Sequence, residues 1–541
     1  MVEPEARIDD GRGPDLVVAG VRWERIQLVV TVRHASSTTA PMPPAESFFL
    51  RSVERPAARL EALRLRGDAA DVRFNVFAGP DRMPLDPGRW QLMIRTQGGE
   101  PATTVACEPS VIESANGDRE FVHPAWTIRV TPVSVAGMFA IGLAVRHTGT
   151  TERSASIPGA WRRLKRAVRV GTFRITVGLV RLVPRGRRLI VFTSDSRATL
   201  GGNLKLVHDR MVERGLDRTT HLRSILKPSV RTRRSMLDRW RLAWLLARAD
   251  VILLDDYQPA IYQLGLNPDV RVIQLWHAWG AFKTVGYSRI GKPGGPNPYS
   301  SVHKNYTFAT VSSAHEVPFY AEAFGLPEAS VVPTGTPRMD QFLDPRNQEA
   351  GRERALSAFP AARGRRVILF APTFRGDGAT QAQYPMEVLD LPALHALATE
   401  LDAVVILKMH PFVDARLTLE PSQADRLLDA SGSTIDVNDL LLIADVLVTD
   451  YSSLIFEYAA LGRPMLFFAF DLDEYVASRD FYEPFASFAP GRIVRTFPDL
   501  LDALRRGEFE QEKVEPFARD HLPSETGSAT DRIIDQLILA P

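Results

Sequence analysis

Four short stretches carry residue types suited to work on a phosphate ester. The first is Leu275-Trp-His-Ala-Trp-Gly-Ala-Phe-Lys283, which directly follows an apolar run at Val272. A histidine at that place can act as a base, because its proton affinity lies near neutrality. Lys283 supplies a cation nearby. The second is Leu407-Lys-Met-His-Pro-Phe412, where Pro411 stops an extended run and leaves Lys408 and His410 at its end. The third contains Asp450-Tyr-Ser-Ser453 and then Glu457. Ser452 or Ser453 is placed to cap a helix, and free N–H groups at a helix start suit a pyrophosphate. Glu457, one turn further on, is placed to reach a ribose hydroxyl. The fourth is a pair of loops, Thr334-Gly-Thr-Pro-Arg-Met-Asp340 and Ala371-Pro-Thr-Phe-Arg-Gly-Asp377. Their Arg338 and Arg375 are candidate phosphate clamps, since a guanidinium fork matches two phosphate oxygens.

Each stretch also has a plain structural reading. The histidines can cap buried strands, the serines can start an ordinary helix, Glu457 can be solvated, and the two arginines can form interdomain salt bridges.

The stretches need elements to hold them. Leu189–Thr193, Val251–Leu254 and Val272–Leu275 are short, apolar, β-branched runs separated by helix-length segments. Val367–Ala371, Val404–Lys408, Val446–Thr449 and Met465–Phe468 repeat the style. Such alternation predicts parallel sheets of βαβ units, with sites off the carboxyl ends of the strands. Two Rossmann-like domains are expected, over residues 189–350 and 351–541. Residues 1–150 read instead as a small β-rich accessory domain, a sandwich by their short strands and Pro/Gly/Asp punctuation. Residues 151–188, with ten cations among apolar residues from Ile157 to Arg188, read as a basic amphipathic segment on an anionic membrane or a linker helix packed on a neighbour.

The 541 residues exceed one core, at roughly 150 residues per domain. A net charge of +2 gives no polyanion signal, so no nucleic-acid partner is expected. One cysteine excludes an internal disulfide and a thiolate metal cluster. The chain shows neither a signal peptide's apolar core nor an apolar run of membrane-spanning length, so a cytoplasmic protein is expected.

In order and spacing these motifs resemble the CDP-glycerol glycerophosphotransferase family of teichoic-acid synthesis, over about residues 187 to 500. The resemblance implies a GT-B-like fold, a CDP-glycerol or CDP-ribitol donor, a lipid-linked acceptor and peripheral association with the cytoplasmic membrane face. It carries the family's two functional histidines to His277 and His410, and its Asp-Tyr-Ser-Ser loop to Asp450–Ser453. Trp276-His-Ala-Trp279 is more similar to the primase and ribitol-phosphate branches than to the Trp-His-Gly-Thr-Pro of glycerol-phosphate polymerases.

The expected reaction moves an alditol phosphate onto the acceptor and releases CMP, with His277 as base and His410 assisting the phosphoryl oxygens. No obligatory metal is expected, with Mg²⁺ an optional aid. Two rivals are a GT-B glycosyltransferase using a nucleotide sugar and a non-catalytic polymer-binding homologue.

Overall fold

The computed structural model describes residues 16–35, 41–63, 71–79, 82–95, 102–114, 117–147, 171, 175, 178, 180, 186–229, 232–262, 266, 269–292, 295–300, 302–376, 381–413, 417–524 and 527–540. The basic segment expected at 151–188 lies almost wholly outside them. The chain divides into two compact units.

The first unit is built on one hydrogen-bonded sheet of eleven strands rather than the expected pair of sheets. Its longest ladder pairs Trp126–Val135 with Met138–Arg146, antiparallel across Ala136-Gly137. Both turn residues have positive φ, 50° and 77°, the twist that a two-residue hairpin needs. Trp90, Trp126, Phe48, Phe74 and Phe139 fill its core. The unit reaches beyond the expected boundary at residue 150, because Val285–Asn305 and Ala321–Glu328 belong to it. Tyr287 and Ile290 enter its core, and Arg25 holds the buried Glu322 at 2.8 Å.

The second unit contains both α/β sheets. In the first, strands β1 (Leu189–Ser194), β2 (His221–Leu226), β3 (Val251–Leu254), β4 (Arg271–Gln274), β5 (Phe308–Thr310) and β6 (Val331–Val332) run parallel in the order β2-β1-β3-β4-β5-β6. Helix α1 (Gly202–Glu213) covers β1 and β3 with Leu204, Val207 and Met211. Residues 529–539, expected with the second sheet, return to this core through Ile533, Ile534, Leu537 and Ile538. Arg271 ties them down by donating to the carbonyls of Leu537 and Ala540.

The second sheet consists of β7 (Arg366–Phe370), β8 (Ala403–Leu407), β9 (Leu427–Asp429), β10 (Val446–Thr449), β11 (Met465–Phe468) and β12 (Arg492–Val494). They are parallel in the order β9-β8-β7-β10-β11-β12. Strand order reverses between β7 and β10 here, and between β1 and β3 in the first sheet. Ligands of open α/β sheets bind in the crevices at such points. The loops Ala371–Gly376 and Asp450–Ser453 leave β7 and β10, so two of the four motifs flank one reversal. No helix among the described residues is long and apolar enough to cross a membrane.

Candidate active site

The segment from Leu275 to Thr284 links the two sheets. It leaves β4 at the first sheet and ends hydrogen-bonded to the second: Thr284 N donates to Asp480 O at 3.2 Å, and Tyr482 N to Phe282 O at 3.0 Å. Trp279 and Phe282 are buried in the second sheet's core. Gly280 cannot carry a side chain there, because a Cβ would lie 2.0 Å from the Phe456 ring.

His277 stands at the first end of this segment, exposed. Trp276 before it has φ +52°, a left-handed conformation that costs a non-glycine residue roughly 1–2 kcal/mol. The surroundings hold that backbone in place. Trp276 N donates to Gln274 Oε1 at 3.0 Å, and Asn203 Nδ2 donates to Trp276 O at 2.7 Å. His277 Nδ1 lies 3.3 Å from the Asp255 carbonyl. A carbonyl only accepts, so Nδ1 carries the proton and Nε2 keeps its lone pair. Beneath it the Asp255 carboxylate is buried and paired with Arg197 at 2.8 Å. Burial raises its pKa; Arg197 and, more weakly, His277 oppose that.

Lys283 stands at the other end, with its ammonium 5.2 Å from the Tyr475 ring centroid. Burial pulls its pKa down to about 8, and the charge of Asp450 opposes the shift. It faces His410. That imidazole packs between Phe374 and Phe412, with ring centroids 4.7 and 4.8 Å away. Burial first, then the charge of Lys283, holds its pKa below the usual value. His410 Nδ1 accepts from Phe412 N–H at 3.1 Å, so its proton sits on Nε2. The two histidines therefore present opposite faces: a lone pair at His277 and an N–H at His410. They do not touch each other.

Arg338 and Glu457 come together. Asn203 Oδ1 accepts from Arg338 N at 3.1 Å, so one buried asparagine positions both the His277 and the Arg338 loops. The Arg338 side chain lines a cavity of about 850 Å³ together with Ser433, Thr434, Asp436 and Asn438. Glu457 is buried rather than solvated, and its Oε2 has no hydrogen-bond partner. Burial pushes its carboxyl up to about 7 despite the nearby charge of Arg338. Ser453 is exposed at the start of a helix spanning Leu454–Ala459, with no capping bond from its side chain. Ser452 Oγ accepts instead, from Leu454 N at 3.3 Å. This helix has six residues, so the loop's hydroxyls and N–H groups outweigh any macrodipole.

Three expected ligand-binding groups are occupied by the protein itself. Arg375 donates to Asp471 at 2.6 and 2.9 Å and to Asp450 at 2.9 Å, all within the second sheet's loops. Two carboxylates neutralise it, so it is neither a free clamp nor an interdomain bridge. Asp450 is consumed in the same network, accepting also from Thr373 N and Tyr451 N. Lys408 Nζ donates to the Ala430 carbonyl at 2.9 Å and closes the loop after β9.

Sequence reading missed a second polar group, at the reversal point of the first sheet. Asp195, directly after β1, pairs with Lys227 and Arg234 at 2.6 Å each and accepts from Gln258 at 2.9 Å. The strand-end rule that found His277 applies equally to Asp195 and Asp255. A second gathering joins His315, Glu483 and His521, whose ligand atoms lie within 4.8 Å of one another. A tetrahedral ion at ~2.1 Å from each ligand needs them roughly 3.4 Å apart. Glu483 already bonds His315 at 3.1 Å, and His521 packs against the Phe517 ring.

The profile of the CDP-glycerol:poly(glycerophosphate) glycerophosphotransferase family matches residues 175–539. The chain belongs to this family. As a member it is a phosphotransferase of teichoic-acid synthesis. It is 45% identical over 350 residues to the teichoic acid ribitol-phosphate polymerase TarK of Staphylococcus aureus, covering 65% of this chain and 68% of that one. It is 38% identical over 376 residues to the teichoic acid poly(ribitol-phosphate) polymerase of Bacillus spizizenii, covering 70% of this chain but only 60% of the relative. Among solved structures, the wall teichoic acid polymerase TagF superposes with a TM-score of 0.53 at 21% identity, over 70% of this chain and 96% of that one. That likeness carries the GT-B-like fold of the family member. A variant of that polymerase has been soaked with CDPG.

Proposed function

We propose that this family member transfers ribitol phosphate from CDP-ribitol to a hydroxyl of a lipid-linked acceptor and releases CMP. The ribitol assignment is supported by the names of the two relatives above and by the Trp276-His-Ala-Trp279 motif. One structural observation carries the mechanism. A single segment, Leu275–Thr284, presents a histidine lone pair at one sheet and an unpaired ammonium beside a histidine N–H at the other.

The cytidine end of the donor fits the cavity lined by Arg338 and Ser433–Asn438, with Glu457 within reach of the ribose. The pyrophosphate takes positive charge from Arg338 and Lys283 and hydrogen bonds from Ser452 and Ser453. His277 Nε2 removes the proton of the acceptor hydroxyl as its oxygen attacks the β-phosphorus. The new O–P bond forms while the bond from that phosphorus to the bridging oxygen breaks, and CMP leaves with the electron pair. The His410 Nε2–H stabilises the transferring phosphoryl oxygens. Positioning and charge supply most of the acceleration in such transfers. No tightly held metal is required by this scheme; turnover is expected to survive EDTA, and Mg²⁺ acts only on the pyrophosphate.

The test is CMP release from CDP-ribitol or CDP-glycerol with a lipid-linked, glycerol-phosphate-primed acceptor. Acceptor-dependent release from CDP-ribitol is expected. Release from CDP-glycerol alone would reassign the alditol, and release from a nucleotide sugar alone would overturn the reading.

A further inference from the structure

The gathering of His315, Glu483 and His521 is supplied by three separate parts of the chain. His315 lies in the turn Ala314–Glu316, which follows β5 of the first sheet. Glu483 follows the helix Leu472–Arg479 of the second, and His521 closes the helix Val514–His521. None of the three has a part in the transfer. The rings of His315 and His521 meet edge to face with centroids 4.8 Å apart. Phe517, Phe488 and Phe456 surround His521 at 4.4, 5.2 and 5.4 Å, so the group has an apolar wall.

Its inner side sets it apart from an ordinary ion pair. His521 is 4% exposed, and its Nδ1 has no hydrogen-bond partner. It faces Glu316 Oε1 at 3.6 Å, and that oxygen, on a fully buried side chain, is unpartnered as well. The separation is too long for a hydrogen bond, so both atoms carry a desolvation cost. Burial pushes the Glu316 carboxyl well up, although the N–H groups of Ser312, Ala281 and Ser313 face it. No lysine or arginine pairs with it among the described residues. A metal ion on the other nitrogen of His521, Nε2, answers both needs. It fixes the ring's proton on Nδ1, which then donates to Glu316, and it sets positive charge one imidazole away from the buried carboxylate. Carboxylate–histidine–metal relays of this kind orient the ligands of protein zinc sites.

The outer side supplies the remaining ligands. His315 Nε2 meets Glu483 Oε2 at 3.1 Å, and the two side chains are 31% and 30% exposed, so an ion has a way in. The widest spacing among the ligand atoms, up to 4.8 Å, exceeds the roughly 3.4 Å that a bound ion imposes. Rotation of the two exposed side chains closes that gap. Two imidazoles and one carboxylate suit zinc, with a fourth position left for water.

We propose that His315, Glu483 and His521 hold a zinc ion, with Glu316 behind His521 as its carboxylate partner. The ion is a brace and not a reagent. Glu316 faces the Ala281 N–H, and Tyr482, next to Glu483, donates to Phe282 O at 3.0 Å. Zinc therefore ties the two sheets together beside the segment that carries His277 and Lys283. The site stands on these side chains alone, whichever alditol is transferred.

The experiment is zinc titration of the full chain, purified without a polyhistidine tag and freed of metal, in competition with a chromophoric chelator. One ion per chain is expected at micromolar affinity or tighter. Cobalt in its place is expected to give the intense visible absorption of a four-coordinate site. Glu316→Gln is expected to weaken binding about 10–100-fold. Glu483→Gln removes a ligand at a partly exposed position and is expected to weaken it further, with the fold checked by circular dichroism. Zinc should raise the melting temperature of wild type and leave that of Glu483→Gln unmoved, while CMP release by wild type at room temperature is the same with and without it. Less than one ion per chain, or equal affinity in wild type and both variants, would assign zinc to scattered surface groups and overturn the proposal.

Discussion

The two parallel sheets have the same layered construction, and their strand ends have been fitted for opposite tasks. At the first sheet the reversal point is rich in carboxylates: Asp195 and Asp255 are each answered by arginine or lysine, and the Asp255 carbonyl holds a histidine with a free lone pair. At the second the carboxylates Asp450 and Asp471 are spent on Arg375, and the groups left facing outward are an ammonium, an imidazole N–H and hydroxyls. The first arrangement suits drawing a proton from a neutral hydroxyl. The second suits receiving a dianionic pyrophosphate. Both are supplied in part by one segment, because Leu275–Thr284 begins in one sheet and is hydrogen-bonded into the other.

The largest effect expected from breaking this division is at His277. His277→Ala is expected to lower kcat by ~10²–10⁴-fold and leave the KM for the donor nearly unchanged. Measuring CMP release across donor concentrations separates the two constants. A large rise in donor KM instead would put His277 on the donor side and erase the distinction. Next in size is Arg375→Met, which leaves the buried Asp450 and the partly buried Asp471 without their cation. Breaking such a network typically costs about 3–5 kcal/mol. The expected result is a loss of stability in a denaturant melt. Full stability with weakened donor binding would restore Arg375 as a phosphate clamp.

That pair also marks how far the sequence could be read. Apolar runs of four or five residues ending in His, Lys, Asp or Ser reveal strand ends, so His277, His410 and the Asp450–Ser453 loop could be found from local pattern. What each side chain does there depends on partners far along the chain. Arg375 looks like Arg338 in its own loop, and Asp471, 96 residues away, is what sets them apart. Nothing local to Lys408 announces the carbonyls after β9 that accept from its ammonium. Asn203 opens an ordinary amphipathic helix, and nothing local announces that its amide joins two site loops. The regrouping of Val285–Asn305 with the β-rich unit was hidden for the same reason, since Tyr287 and Ile290 are apolar residues of no distinct period.

Glu457 tests the second sheet in its unliganded form. Its carboxyl is raised from 4.5 to about 7 by burial. A raised carboxyl contributes stability that is complete below pH 4.5 and lost as pH climbs through 7, because the folded state then has to hold a buried charge. Glu457→Gln removes that loss. At pH 8 the variant is expected to be more stable than wild type by on the order of 2–3 kcal/mol, and at pH 4 to be equal to it or slightly weaker. Thermal melts of both proteins at the two pH values check it. Equal melts at pH 8 would mean that Glu457 is ionised at no cost, with the Arg338 charge compensating fully.

The smallest effect is the one that bears most directly on how the sheets share the work. Lys283 belongs by sequence to the His277 motif, yet its charge is felt at His410, and the charge of Asp450 is felt at Lys283 itself. With its pKa near 8, the ammonium loses its proton as pH rises past that value, and a dianionic donor favours the charged form. Donor affinity should therefore fall above about pH 8, while binding of donor itself should move that limb upward. Lys283→Met is expected to raise the donor KM roughly tenfold at pH 7, since one desolvated charge pair is worth about 1–2 kcal/mol, and to flatten the alkaline limb. kcat at saturating donor should change far less. The neutral side chain also removes the charge that helps to depress His410, so the pKa of that imidazole should rise in the same variant. If kcat fell and KM held, Lys283 would be acting on the transition state with His277 in its own motif. The segment would then serve one sheet rather than two.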